Sequence, residues 1–455
     1  MSLQPPSLLR APARSMGLKL LLVCGLALVM MIPAFLVSGL LGERRVRSQQ
    51  VRQEVGDLMG GPQTFLGPVL AVPYAVPGEA PGRPSVRGVY VVFPAQARAR
   101  VSTKSEVRKR SLFNVPVYRA DLVLAGDFDL GSTPSNTPPG AVLDWSRAEL
   151  LVGASDPRGA QADATLTVAG KASPLVPAAT AIDLPQREGD ESSAANADLR
   201  FFGAGAAAVA RPGARFTASA RLKFSGAQRL AVLPYGKATS VRVIGDWGSP
   251  SFDGGFLPTF RRIDREGFSA SWSVPFIARG VPSEGDQALL SRLGHSDLGV
   301  SFVQPADPYQ SVARSLKYAL MFVGLVFLTY FVFETMTGRK VHAAQYVLIG
   351  LAQMVFYLLL LSLSEQIGFD GAFFTAATAT VGLISTYAGW VFASRRQGVI
   401  AFAVFALLYG LIYVLMRLED YALVVGAATS FLAIAAVMYV TRRLQWYGSR
   451  EKVQA

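Results

Sequence analysis

The residues that could do chemistry in the apolar parts of this chain are few, and they gather at chain turns. Glu334 closes one apolar run, Arg339, Lys340 and His342 follow it, and Gln345 opens the next. A carboxylate beside a basic turn and an imidazole could form a proton or ion relay at the mouth of a helix bundle. The structural alternative is an interfacial carboxylate neutralised by that turn, at a helix C-terminus where the macrodipole disfavours negative charge. Glu365 and Asp370 bracket a second turn, as candidate polar positions or as a solvated hairpin. In the more polar middle, Arg158 and Trp247 sit in Gly/Pro-rich turns that could present them to a partner or serve as structure alone.

Catalytic and cofactor chemistry find little support. No nucleophile-elbow, zinc-protease or P-loop pattern occurs. The chain has 2 histidines, His295 and His342, and 1 cysteine, Cys24. That leaves no disulfide, no thiolate metal site and little room for a zinc or haem centre, so no cofactor, metal or catalytic residue is expected. A converging carboxylate pair of glycosidase type leaves no sequence signature, so a periplasmic hydrolase stays as the third reading.

The elements that must position these groups follow from charge spacing. No charged residue falls between Lys317 and Glu334, His342 and Glu365, Asp370 and Arg395, Arg396 and Arg417, or from Tyr421 to Thr441. About 20 apolar residues cross ~30 Å of hydrocarbon as a helix, so residues 316–441 read as a five-helix transmembrane bundle. Leu20 to Gly42 is likewise uncharged, too long for a signal-peptide core of ~7–15 residues, and reads as an uncleaved anchor. Small residues recur at Ala422, Gly426 and Ser430 and at Ser385 and Gly389, a spacing that lets helices approach. Trp390, Tyr421, Trp446 and Tyr447 fall at expected interfaces as an aromatic belt.

Between the anchor and the bundle the periodicity changes to two. Phe216, Ala218, Ala220, Leu222 and Phe224 alternate with Thr217, Ser219, Arg221 and Lys223, and Phe268, Ala270, Trp272 and Val274 alternate with serines. Such alternation marks half-buried antiparallel strands, in one large β domain or two packed sandwiches. The polar stretch Asp183–Asp198 is read as a break. The expected organisation is a tail at 1–19, a transmembrane helix at 20–42, a juxtamembrane helix at 43–59, a β domain at 60–315, the bundle at 316–441 and a tail at 442–455. The fold class is therefore a mixed membrane protein: an N-terminal transmembrane anchor helix, a large extracytoplasmic antiparallel β domain, and a C-terminal five-helix transmembrane bundle.

Composition agrees: 51% of residues are hydrophobic and 16% charged, and the mean hydropathy is +0.34. The net charge of +13 is spread in ones and twos, which suits anionic lipid and not a nucleic-acid face. Arg10, Arg14 and Lys19, Arg339 and Lys340, Arg395 and Arg396, and Arg442, Arg443, Arg450 and Lys452 fall on one side, against Arg417 on the other. The positive-inside rule then places both termini in the cytoplasm and the β domain outside.

Several segments resemble the CreD family of inner-membrane cell-envelope integrity proteins over nearly the whole length. The carriers are GPQTFLGPVL at 61–70, DPRG at 156–159, WGSPSFDGGFLP at 247–258, DPYQ at 307–310 and RSLKYA at 314–319. Glu334, His342, Gln345, Tyr346, GLA at 350–352, FYLLLL at 356–361, Ser364–Glu365 and EDYAL at 419–423 follow in order. Where relatives often have Ser-Glu-His, this chain has Gln366 third, which removes a second bundle histidine. The resemblance implies a Gram-negative inner-membrane protein tied to envelope integrity and to a Cre-type two-component response, with no catalytic or binding residue to carry over. The expected function is non-enzymatic, through a periplasmic β domain that binds envelope proteins, peptidoglycan or lipid. The alternative is a transporter or channel with a capture domain. Oligomeric state leaves no trace in the sequence.

Overall fold

The computed structural model describes residues 16–77, 86–110, 113–131, 134–180, 199–303, 308–417 and 422–442. Asp183–Asp198, the 419–421 part of EDYAL, Asp307 of DPYQ, the belt residues Tyr421, Trp446 and Tyr447, and the terminal basic residues Arg10, Arg14, Arg443, Arg450 and Lys452 lie outside the described residues. The chain divides into two units: Gln49–Pro305, and Met1–Ser48 together with Ala306–Ala455.

Among the described residues, the Gln49–Pro305 unit is built from a ten-stranded and an eight-stranded sheet. Gln63–Val76 is central to the first and pairs with Val86–Val92, Glu149–Ala154 and Arg229–Val232. That strand is buried from Gln63 to Val72 without alternation, as a strand covered on both faces must be. The second sheet runs Phe260–Asp264, Gly267–Val274, Ala238–Gly245, Gln96–Arg110, Phe113–Asp129, Arg215–Ala227, Thr165–Val168 and Lys171–Pro174. Here the period-two pattern holds: Ala97, Ala99 and Val101, Leu122 and Leu124, and Ala218, Ala220 and Leu222 enter the core, and their neighbours stay outside. One contiguous core takes side chains from both sheets, so the unit is one domain of two packed sheets.

The expectation of a purely antiparallel β domain needs correction at two ladders. Gln63–Phe65 runs parallel to Leu230–Val232, and Gln96–Thr103 runs parallel to Ala238–Gly245. Alternation reports which face of a strand is buried, not the direction of its neighbour, so the sequence pattern was blind to this.

The second unit is helical. Met16–Val29 leads, after Met30, into Met31–Leu58, a 28-residue helix that runs on past Gly42 without a break between anchor and juxtamembrane parts. It is followed by Pro308–Lys317, Ala319–Thr337, Ala343–Val391, Arg395–Arg417 and Ala422–Thr441. Among the described residues, four helical stretches meet the length and hydropathy needed to cross a membrane: Gly17–Leu58, Ala319–Thr337, Ala343–Val391 and Arg395–Arg417. The 49-residue helix is interrupted at Gly368, whose φ of 76° and ψ of 168° no helix contains, and glycine tolerates that backbone without a Cβ penalty. Ala422–Thr441 is a further 20-residue helix without a charged residue.

Small residues do bring helices together. A Cβ on Gly398 would lie 3.3 Å from the Gly389 Cα, and one on Gly426 would lie 3.3 Å from the Tyr318 ring. Aromatic side chains fill the interior: Tyr330 stacks on Phe405 at 5.9 Å, and its hydroxyl donates to the Ile384 carbonyl at 2.7 Å. Trp390 is 74% exposed, as an interfacial residue would be.

Candidate functional site

The polar centre of the helical unit is Glu334, which is buried. Ala319–Thr337 stops at Gly338, whose left-handed φ of 70° turns the chain back, and the Gly338 N–H closes on the Glu334 carbonyl at 3.0 Å. That reversal brings the Val341 N–H to Glu334 Oε1 at 3.0 Å. The Tyr346 hydroxyl donates to Oε2 at 3.2 Å, and the Lys19 ammonium pairs with Oε1. Lys19 also donates to the Val341 carbonyl at 3.2 Å. A carboxylate that the macrodipole disfavours is thus held by three donors, one of them charged.

The counter-charge differs from the sequence expectation. Arg339 and Lys340 are exposed and make no ion pair with Glu334 among the described residues; Lys19, from the other end of the chain, does. His342 and Gln345 are absorbed locally. His342 Nδ1 accepts from the Ala344 N–H at 3.2 Å, and Gln345 Oε1 accepts from the His342 N–H at 2.8 Å. This reciprocal capping box fixes the start of Ala343–Val391.

Glu365 is not part of a solvated hairpin. Its side chain is only 7% exposed and accepts the Tyr309 hydroxyl at 2.8 Å, with Arg44 at 3.8 Å. Arg44 is 53% exposed, so its pairing contributes about 0–1 kcal/mol. A hydrogen bond to a charged acceptor contributes about 1.5–3 kcal/mol, so Tyr309 dominates. Asp370 behaves as the hairpin expectation has it: it is exposed and pairs with Arg417 and with the Tyr413 hydroxyl.

In the β unit, Arg158 is turned onto its own loop. Its guanidinium reaches both Asp156 oxygens, with Nη2 to Oδ2 at 2.6 Å, and Asp156 Oδ1 also accepts the Arg158 N–H at 2.9 Å. The Arg158 side chain beside it holds the Asp156 carboxyl below its ordinary value. Trp247 is half-buried, edge-on to Phe302 at 6.1 Å, with its indole N–H on the Val303 carbonyl at 3.0 Å. Arg158 keeps an exposed face, whereas Trp247 is largely engaged in packing.

The sequence singled out DPRG and GPQTFLGPVL separately, and the fold brings them together. Gln63 Nε2 donates to the Gly60 carbonyl at 2.6 Å and to the Asp156 carbonyl at 2.9 Å. The Ser225 hydroxyl donates to the Met59 carbonyl at 2.9 Å and the Gly159 carbonyl at 3.2 Å. A Cβ on Gly159 would lie 2.5 Å from the Ser225 carbonyl oxygen, and one on Gly60 would lie 2.6 Å from the Gly159 Cα. These glycines permit a close backbone crossing where the Met31–Leu58 helix gives way to the first strand.

Two cations of the β unit, the half-buried Arg229 and the buried Arg279, carry no signal in the sequence. Arg229 bridges Asp253 at 2.8 Å and Asp297 at 2.5 Å, and Asp253 in turn accepts the Ser301 hydroxyl at 2.5 Å. Arg279 is 2% exposed and donates to three carbonyls, of Gly236, Val281 and Pro282, with its guanidinium 4.3 Å from the centre of the Phe93 ring. Burial pulls its pKa down to about 10. Asp253 lay inside a motif, but nothing local marks an arginine as buried. The signal lies in partners distant in sequence.

A family model described as inner membrane protein CreD matches residues 15–447. Inner membrane protein CreD of Escherichia coli is 28% identical over 438 residues, covering 93% of this chain and 92% of that protein. Among solved structures, an M1 zinc metallopeptidase from Deinococcus radiodurans bound to a Tyr-Ser-Ala substrate covers 78% of this chain and 95% of that chain. Its identity is 10% and its TM-score 0.22, a likeness too slight to carry any argument. The family match spans the apolar helices and the β unit alike, and the chain belongs to the CreD family of inner membrane proteins.

Proposed function

We propose that this inner-membrane protein supports envelope integrity as a non-enzymatic scaffold whose β unit, in the periplasm, binds envelope partners. Six spans carry it: the anchor, Ala319–Thr337, the two halves of Ala343–Val391 on either side of Gly368, Arg395–Arg417 and Ala422–Thr441. Both termini are then cytoplasmic, following the basic residues Arg339, Lys340, Arg395 and Arg396. One observation carries the choice of scaffold over transporter. Among the described residues of the helical unit, the buried carboxylates Glu334 and Glu365 are engaged in holding helices, Glu334 by Lys19, Val341 and Tyr346, and Glu365 by Tyr309 and Arg44. A coupling site needs a group free to exchange its ion.

The test has two arms. Reporter fusions after residues 180 and 340 and at the C-terminus read topology, and the first should report the periplasm and the other two the cytoplasm. Glu334→Gln and Glu365→Gln, expressed at native levels, should retain envelope-stress tolerance. Loss of tolerance in a variant that is present and folded supports the transporter reading instead. Turnover of cell-wall substrates by the purified protein would overturn the non-enzymatic one. Crosslinking from Arg158 and Trp247 in native membranes identifies partners.

A further inference from the structure

The outer face of the eight-stranded sheet carries a row that holds three arginines. Strand register lines up Ser271, Arg242, Arg100, Val123, Arg221 and Thr165 across six neighbouring strands. Their neighbours along each strand, such as Val241, Ala99, Leu122 and Ala220, enter the core, so the row points outward. Arg100, Arg221 and Arg242 are exposed and have no hydrogen-bond or ion-pair partner among the described residues. The nearest acids of the same face are already engaged, Asp127 with Arg98 at 2.9 Å and Asp121 with Lys223 at 3.8 Å.

Arg242 and Arg100 stand directly opposite each other on adjacent strands, ~4.8 Å apart, and Arg221 lies two strands beyond Arg100, ~10 Å away. Like charges in that relation destabilise a sheet. An anion seated between them removes the repulsion, and guanidinium forks match carboxylate and phosphate bidentately. Ser271 continues the row beyond Arg242, and the 60% exposed Phe260 opposite Ser271 offers an apolar ring at its end.

We propose that this row binds an extended anionic glycan, a polysaccharide bearing carboxylate or phosphate groups. A rigid, flat face with cations at ~5–10 Å intervals fits a linear polyanion. Hydroxyl side chains and an edge aromatic ring suit sugars, and the row contains no apolar depth to receive an acyl chain. The inference rests on the periplasmic reading of the β unit, where such polymers occur.

The test uses the full-length protein in nanodiscs of zwitterionic lipid, with polygalacturonate, a phosphorylated mannan, neutral dextran and anionic phosphatidylglycerol vesicles as probes. The wild type should bind one or both anionic glycans in a salt-dependent manner and ignore dextran. Which of the two it prefers identifies carboxylate or phosphate as the source. Arg100→Gln, Arg221→Gln and Arg242→Gln together should weaken binding about tenfold, from roughly 0.5 kcal/mol for each exposed contact, with a thermal midpoint at or above that of the wild type, because the repulsion between Arg100 and Arg242 is removed. The corresponding lysine triple variant should recover part of the affinity. If the glutamine triple fails to fold, Arg221→Gln alone should weaken binding about twofold. Undiminished binding by a folded variant, equal binding to dextran, or preference for the vesicles overturns the proposal. In a Cys24→Ser background, labelling of Ser102→Cys by an impermeant maleimide on spheroplasts reads location independently. Labelling without glycan binding sinks the glycan face alone, and glycan binding without labelling sinks the periplasmic reading.

Discussion

Lys19 and Glu334 form an ion pair across 315 positions of sequence, joining the first apolar helix to the last turn of a helix beyond the β unit. Glu365 binds Tyr309 and Arg44, so the other end of the anchor helix is also tied to the bundle. Two carboxylates that looked like isolated chemistry are fasteners, Glu334 for Met16–Val29 and Glu365 chiefly for Pro308–Lys317.

Glu334→Gln keeps an acceptor for the Val341 N–H but removes the charge that faces Lys19. It should cost about 1–3 kcal/mol and lower the thermal midpoint of the full-length protein in detergent. The value falls short of a fully buried pair because the Lys19 side chain is 28% exposed. Lys19→Gln should cost a similar amount, and the double variant little more than either single one. Fully additive losses would show that the two side chains do not interact.

At Glu365 the hydroxyl matters more than the guanidinium. Tyr309→Phe should destabilise by about 1.5–3 kcal/mol and Arg44→Gln by at most about 1 kcal/mol. Hydrogen exchange of Pro308–Lys317 should accelerate in the first variant and stay near wild type in the second. The reverse order would put the ion pair first.

The glycine crossing in the β unit should be intolerant of a single methyl group. Gly159→Ala meets the Ser225 carbonyl and should cost about 2–4 kcal/mol, whereas a Cβ on Gly205 meets nothing within 4 Å. Urea unfolding of the two variants side by side makes the comparison, and equal midpoints would refute the crowding.

Asp156→Ala removes the acceptor of its turn and should cost about 1 kcal/mol at neutral pH. The native carboxyl titrates below its ordinary value of 3.8, so on acidification the unfolded chain takes up the proton first. The stabilisation is complete above that value and is lost as pH falls through the native one. The gap between wild type and variant should therefore narrow as pH falls below 3.8. A gap that stays constant on acidification would show that the charge contributes nothing.

Much of the architecture was legible before any coordinates. Uncharged runs such as 397–416 coincide with helices because a long apolar run and a helical backbone are one requirement in lipid. The alternation in Arg215–Ala227 coincides with its burial pattern for a similarly local reason. The polar sites were legible as residues but not as relationships. Glu334 stood out, yet its partner was sought in Arg339 and Lys340, since only neighbours in sequence are visible to a local reading.

The positions of helices and strands are written locally in the amino-acid sequence, because periodicity and charge spacing act within a few residues. The family is written there as well, in motifs kept in order along the chain. The folded chain alone shows that Lys19 faces Glu334, that Ala238–Gly245 runs parallel to Gln96–Arg110, and that DPRG closes on Gly60 and Gln63. It also decided that Arg100, Arg221 and Arg242, spread over 143 positions, share one line. Each of these depends on which distant segments come to lie side by side, and long-range packing sets that choice.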